Sequence, residues 1–245
     1  RLFVKESCGS HFVINSGKTS IAAISEIGGK QRVVRLSFDQ PASLKEGASF
    51  DTVSNIVFGS DDASVAYLGV RGEKRFLVVN DREDPLPDGN MPWSPVIRPD
   101  RKGAGLLISS TKGFFLYQAF SQGAAAETIY EEAADLTYSN DGNGYAFAAR
   151  KGDAWLVVVS GKEGPAFDRV VSPVFSPEGK SLVYRARKDG KRFMVIADAN
   201  GKVIRQHPAY EQVFQPVFTA DGKSVAYGVK DGNKLIWKVE KLEGK

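Results

Sequence analysis

The chain repeats itself. Residues 173–184 (PVFSPEGKSLVY) return as residues 216–227 (PVFTADGKSVAY), an offset of 43. A period of roughly 40–45 residues, made of short strands with turn signals between them, is the pattern of a propeller blade. The same unit can be traced back through the chain. Each copy has a polar residue leading into an apolar strand, a Gly/Asp/Asn turn, a second apolar strand, a charged turn, and a third strand dense in β-branched and aromatic residues, which suit a pleated, packed surface. The second strands fall at 21–24, 65–68, 106–109, 145–148, 182–185 and 225–228. The third fall at 33–36, 76–79, 114–117, 155–158, 193–196 and 235–238.

Segments at 50–53, 130–133, 167–170 and 210–213, each an aromatic followed by two polar residues and Val or Ala, close four of the units. Six units of four antiparallel strands predict an all-β, six-bladed β-propeller in one domain, with blades near 8–53, 54–93, 94–133, 134–170, 171–213 and 214–241. The last unit lacks a fourth strand, and Leu2 to Lys5 is a surplus strand at the other end. Residues 1–6 are therefore expected to complete the last blade, which removes open sheet edges. A five-bladed ring with a disordered start is the alternative, because the first unit is the most degenerate.

The repeat resembles the TolB-like propeller family, whose unit reads approximately Pro-Xaa-Phe-Ser-Pro-Asp-Gly-Lys-Xaa-apolar-Ala-Tyr. The fifth unit matches with Glu178 in place of Asp, and the sixth with Ala220 in place of Pro. The second and fourth keep the frame without the Pro. The third keeps Pro95, Pro99 and Asp100 and is read with an insertion before its second strand; the first matches by pattern only. The resemblance implies an interaction module of the bacterial envelope, periplasmic or otherwise extracytoplasmic. Related propellers are also fused to serine peptidases, so a recognition or gating domain of a larger enzyme is the alternative. The chain opens on Arg1, which fits a processed or truncated precursor.

Little in the sequence carries chemistry. Only His11 and His207 are present, which excludes a metal centre built on several histidines. Cys8 is alone, and no Gly-Xaa-Ser-Xaa-Gly elbow occurs. Gly17-Lys18-Thr19 lacks the upstream Gly and following helix of a phosphate loop. Asp141 and Asn143 mimic part of a calcium loop but lack the bidentate Glu. No cofactor, and no enzymatic activity of the chain's own, is expected. A net charge of +4 in 245 residues is too mild to indicate nucleic acid, and no apolar run is long enough to span a membrane.

Two sets of residues are candidates for binding. One polar residue enters the first strand of each unit: His11, Asn55, Ser94, Asp135, Ser172 and Gln215. These either cap strand ends or ring the mouth of a central channel. The turns between second and third strands are basic, holding fifteen of the 33 Lys and Arg against four acids, or +11 in a chain of net +4. Charge sorted onto one class of turn draws anionic partners, although exposed turns also use Lys and Arg for solubility. The expected partner is an acidic protein over Lys74, Arg75, Arg187, Lys188, Lys191 and Arg192. Deleting residues 1–6 is expected to lower the melting temperature markedly, with a loss of several kcal/mol out of a typical total of about 5–15. An unchanged melting temperature would show that this segment closes nothing.

Overall fold

The computed structural model describes residues 12–87, 93–120 and 128–242. They form antiparallel sheets in sequence order, without a helix. The first sheet is β1 (Phe12–Ile14), β2 (Ser20–Ile27), β3 (Lys30–Ser37) and β4 (Gln40–Glu46). The second is β5 (Thr52–Phe58), β6 (Val65–Arg71), β7 (Lys74–Val79) and β8 (Arg82–Pro85). The third has β9 (Val96–Ile97), β10 (Ala104–Ser110) and β11 (Gly113–Gln118). The fourth has β12 (Glu132–Tyr138), β13 (Tyr145–Lys151), β14 (Ala154–Val159) and β15 (Lys162–Glu163). The fifth runs β16 (Arg169–Phe175), β17 (Ser181–Lys188), β18 (Lys191–Asp198) and β19 (Val203–Gln206). In the sixth, β20 (Gln212–Val213) and β21 (Val217–Phe218) both pair with β22 (Ser224–Asp231), which pairs with β23 (Lys234–Lys241).

One turn recurs in all six sheets between the first and second strands. It starts at Asn15, Gly59, Arg98, Ser139, Ser176 and Thr219. The N–H of each starting residue donates to the carbonyl five residues on, and the N–H three residues on donates back to it, at 2.8–3.1 Å throughout. The fourth position has a left-handed backbone every time: Lys18, Asp62, Arg101, Gly142, Gly179 and Gly222, with φ between 55° and 73°. Glycine takes that conformation without cost and other residues do not, which explains the Gly in the three best copies. The third position carries an Asp in four sheets. Asp61, Asp100, Asp141 and Asp221 each accept the N–H two residues on, which closes the turn from inside.

This geometry corrects the third unit. Its turn spans Arg98 to Gly103 like the others, so there is no insertion. The second strand begins at Ala104, and Leu106 occupies the position held by Tyr67, Tyr184 and Tyr227. A two-residue misreading of register preserves which face each side chain takes, and so leaves the apolar pattern intact.

The segments expected to close the units do something different. Phe50, Tyr130, Phe167 and Tyr210 each form a reciprocal bridge to the third strand of the preceding sheet, at Gln31, Phe114, Trp155 and Arg192. Two or three residues later the chain is already in the next sheet, where Val53, Ala133, Val170 and Val213 pair with second strands. The fourth strands are instead β4, β8, β15 and β19. Their described residues are exposed or half-buried and carry no sustained apolar alternation that a sequence pattern could register.

The chain divides into two compact units, 1–108 with 116–125, and 109–115 with 126–245. In the first, a core of Ala22, Val33, Phe50, Val53, Ile56, Val65, Tyr67 and Val78 lies between the first two sheets. In the second, one face of β17 sends Leu182, Tyr184 and Ala186 against Trp155, Val157 and Phe167 of the fourth sheet and its closing segment. The other face sends Val183 into a core with Val213, Val225 and Tyr227 of the sixth. A strand buried on both faces reads as a continuous apolar run, as Leu182 to Tyr184 does. Residues 2–5, expected to pair with β23, lie outside the described residues. Among the described residues β23 has one paired side, and its Leu235, Trp237 and Val239 are 77%, 75% and 65% exposed. No helix among the described residues is long and apolar enough to cross a membrane.

The Tyr67 hydroxyl is buried without a hydrogen-bond partner. An unsatisfied buried polar atom costs about 1–3 kcal/mol. Tyr67→Phe is therefore expected to preserve or raise stability in chemical denaturation. A loss larger than about 1 kcal/mol would mean that the hydroxyl has a partner.

Candidate functional site

His11 lies outside the described residues. Of the other five polar residues, Asn55, Asp135 and Ser172 do not enter their first strands but sit inside them, whereas Ser94 precedes β9 and Gln215 lies between β20 and β21. Asn55, Asp135 and Ser172 occupy β-bulges in β5, β12 and β16, each with a left-handed backbone (φ 53°, 58° and 52°) at the register shift. The first strands start about three residues earlier than the sequence suggests, because the residues after the closing aromatics already pair. The polar residue then falls where the ladder breaks. A bulge re-aims a side chain and ends regular pairing, and short polar residues tolerate the left-handed backbone best. Ser94 and Gln215 hold the same repeat position, each after a residue (Trp93, Phe214) whose N–H donates to the second strand.

Two of these residues are joined directly in the second unit. The Ser172 N–H donates to Asp135 Oδ2 at 2.7 Å, and the Ser172 hydroxyl accepts from Arg185 Nη2 at 3.1 Å. Arg185 Nη1 reaches the Val213 carbonyl at 3.5 Å. The bulges of the fourth and fifth sheets and the entry of the sixth are thus linked by one polar chain through an arginine.

At least six of the fifteen turn cations are paired with carboxylates, which a count along the chain cannot reveal. In the first unit, Lys30 pairs with Asp51, Arg32 with Glu46 at 2.7 Å, and Arg71 with Glu83 through two bonds of 3.0 Å. Arg71 also lies over the Phe50 ring, and its hydrogen bonds to Glu83 raise its pKa further. Lys74 and Arg75 begin β7 opposite Arg71 and Val70. In the second unit, Arg150 is held by Glu131 and Glu132 at 2.6 and 2.8 Å, Lys151 by Glu163 at 3.1 Å, and Lys230 by Glu211 at 3.3 Å. The acids come from the closing segments, the first strands and the fourth strands, where the sequence reading assigned no charge to these turns.

The fifth sheet carries the densest set without such pairing. Arg187 and Arg192 stand directly opposite each other on β17 and β18, as do Lys188 and Lys191 next to the Asp189–Gly190 turn. None of the four has a carboxylate partner among the described residues. Both turn residues have positive φ (51° and 73°), the two-residue geometry that Asp-Gly favours. It fixes the four cations at one hairpin end.

The other candidates are accounted for by structure. Asp141 accepts from the Ser139 hydroxyl at 2.5 Å and from the Asn143 N–H and side-chain amide at 3.0 Å; these bonds lower its pKa and complete the turn. No group of three His, Cys, Asp or Glu among the described residues is placed to hold a metal. His207 is buried, with Nδ1 3.5 Å from Glu240 Oε1 and its ring 5.9 Å from that of Tyr227.

No protein-family model matches the sequence, and no curated protein matches it. Among solved structures, a eukaryotic initiation factor is similar over 95% of this chain and 62% of its own, with 11% identity and a TM-score of 0.63. TolB from Acinetobacter baumannii is similar over 82% of this chain and 56% of its own, with 17% identity and a TM-score of 0.44. The β-propeller domain of the trilobed protease from Pyrococcus furiosus is similar over 94% and 80%, with 11% identity and a TM-score of 0.48. The chain thus spans 56–62% of the length of the first two. At these identities the initiation-factor likeness establishes a shared fold and nothing of function.

Burial lowers the pKa of His207, against the pull of Glu240 and with the push of Arg205 and Lys238. Above about pH 6.5 the imidazole is neutral in both the folded and unfolded states. Below that value the unfolded chain takes up the proton first, so stability falls as the pH drops towards the lowered folded pKa. His207→Asn is expected to lose less stability than the parent between pH 7.5 and 5 in urea titrations. Parallel pH profiles would show that His207 does not titrate with folding.

Proposed function

We propose that the chain is a non-catalytic binding platform, and that an acidic protein partner docks on the hairpin end of the fifth sheet. The observation that carries this reading is the contrast within the repeat. The hairpins of the first, second, fourth and sixth sheets each hold at least one cation paired with a carboxylate of their own neighbourhood, whereas Arg187, Lys188, Lys191 and Arg192 put four cations on one hairpin end without a carboxylate partner among the described residues. An excess of exposed positive charge at one place steers an acidic partner and raises its association rate. Lys74 and Arg75 are proposed as a separate basic contact on the hairpin of the second sheet.

The architecture proposed with it is a six-bladed propeller in which each sheet is a blade and residues 2–5 pair with β23. The regular turn in all six sheets supports the blade count. The exposed apolar stripe of β23 supports the closure, since an uncovered edge of this kind invites aggregation. An extracytoplasmic setting in a bacterial multi-protein assembly follows from the sequence resemblance. The same face would serve if the chain were the recognition module of a larger enzyme.

The test is charge reversal of Arg187, Lys188, Lys191 and Arg192 to Glu. With the partner isolated on the parent protein, the reversed chain is expected to associate at least about tenfold more slowly at low salt. The difference should shrink at physiological ionic strength, where screening acts beyond about 8 Å. An association rate unchanged at both salt concentrations would leave these residues a role in solubility alone.

A further inference from the structure

The fifth sheet departs from its own repeat at positions that lie together. The second-strand residue nine places after the start of the recurring turn is Ile24, Leu68, Leu107, Ala148 and Gly228 in the other sheets; in the fifth it is Arg185. This arginine is half-buried, and its Nε is enclosed without a hydrogen-bond partner. Two residues on, β16, β17 and β18 place Arg169, Arg187 and Arg192 directly opposite one another in a single row. The corresponding row of the fourth sheet is Glu132, Arg150 and Trp155, and there Glu132 Oε1 accepts from Arg150 Nε at 2.8 Å. Where the fourth sheet supplies its own carboxylate, the fifth has another arginine.

The four arginines line a pocket of about 260 Å³ with Val171, Ala186 and Val213, and no acid contributes to its wall. Each of three is anchored by something other than a carboxylate. Arg185 is held by the Ser172 hydroxyl and the Val213 carbonyl, Arg192 Nη1 donates to the Glu211 carbonyl at 2.7 Å, and Arg169 lies 3.7 Å over the Trp155 ring. Arg187 has no side-chain partner among the described residues. The nearby acids are Asp135, whose Oδ2 accepts the Ser172 N–H, Glu211, whose carboxylate is taken by Lys230, Asp168, and Asp189 of the hairpin turn; none of them lines the pocket. Like charges directly opposite on neighbouring strands destabilise a sheet. A row of three, next to an arginine at an otherwise apolar position, is a cost that a bound anion would remove.

We infer that this pocket is the subsite for a carboxylate side chain, Glu or Asp, of the acidic segment whose docking is proposed above, on which reading it rests. Carboxylate is indicated because the repeat itself shows one pairing with the equivalent arginine in the fourth sheet. The planar forks of arginine match a carboxylate through paired hydrogen bonds. The apolar floor suits the methylene stem. The volume falls below the roughly 300–1,000 Å³ of pockets that enclose whole small ligands, which fits one side chain of a larger partner.

The test uses the full chain and a fluorescent hexaglutamate peptide, with hexaglutamine as the control and inorganic phosphate as competitor. Hexaglutamate is expected to bind saturably at one site and hexaglutamine not to bind. Arg169→Gln and Arg187→Gln, both at exposed positions, are each expected to weaken binding by roughly tenfold, the loss of about one charge-assisted pair. Arg185→Lys is expected to fall short of the parent, because a point charge does not replace the fork. Lys188→Gln and Lys191→Gln at the hairpin tip are expected to change binding less than about twofold, as exposed charges do. If the tip substitutions weaken binding as much as the pocket ones, docking survives and the pocket is overturned. If no substitution matters, both readings fall. If phosphate binds at these arginines while hexaglutamate does not displace it, the carboxylate assignment is wrong.

Discussion

The six-residue turn between the first and second strands is the constraint on which the rest depends. It fixes the register of each hairpin by backbone bonds and one left-handed residue, so every position counted from its start falls in the same place in every sheet. That is why Tyr67, Tyr184 and Tyr227 are buried alike, and why Leu106 joins them. The turn also tolerates variation in how it is closed. The first sheet has Gly17 where four others have Asp, and its Ser16 and Gly17 N–H groups donate to Asp62 instead, borrowed from the turn of the second sheet. The degenerate first unit is therefore geometrically regular, although its sequence hardly shows it.

A fixed register turns charge placement into pairing. The closing aromatic bridges one sheet, and the acid after it meets the hairpin of the next: Asp51 accepts the Gly72 N–H, and Glu131 accepts that of Gly152 while pairing with Arg150. The repeat thus contains its own neutralising device at the start of each first strand. It operates in the second, fourth and sixth sheets, and the fifth keeps Asp168 at that place without engaging its cations. Surface ion pairs of this kind contribute little to stability. Their consequence lies in the field left over, which is densest at the hairpin of the fifth sheet, where four cations lack a carboxylate partner among the described residues.

Strand content was legible in the sequence wherever both faces of a strand are buried. Leu182 to Tyr184 and Phe193 to Ile196 are apolar throughout because each sends side chains into two cores. Fourth strands were not legible, since Lys162–Glu163 and Arg82–Pro85 are polar edge segments whose pairing is set by the strand before them. The bulges at Asn55, Asp135 and Ser172 were visible as a recurring polar residue but not as a backbone break, because left-handed φ in a non-glycine residue leaves no composition signal. Charge compensation was invisible for a simpler reason. Glu46 and Arg32, or Glu83 and Arg71, are 14 and 12 residues apart and meet only across a ladder.

Arg185 was in plain view as the fourth residue of a second strand, and its signal lay in the comparison with its counterparts. Counted with the hairpin it is one cation among five; counted from the turn it stands where five sheets place Ile, Leu, Leu, Ala and Gly. The two ways of counting lead to different physics. A surface cation needs no explanation, because water solvates it. A half-buried arginine in a repeat that otherwise fills the position with apolar side chains or none has given up solvation. Its hydroxyl and carbonyl contacts restore only part of that loss and leave Nε unmatched. Repetition supplies the control that a single-copy fold lacks, since the other sheets show that the architecture does not require an arginine there. What the fold does not require, and what costs it stability, is the feature most economically explained by a ligand.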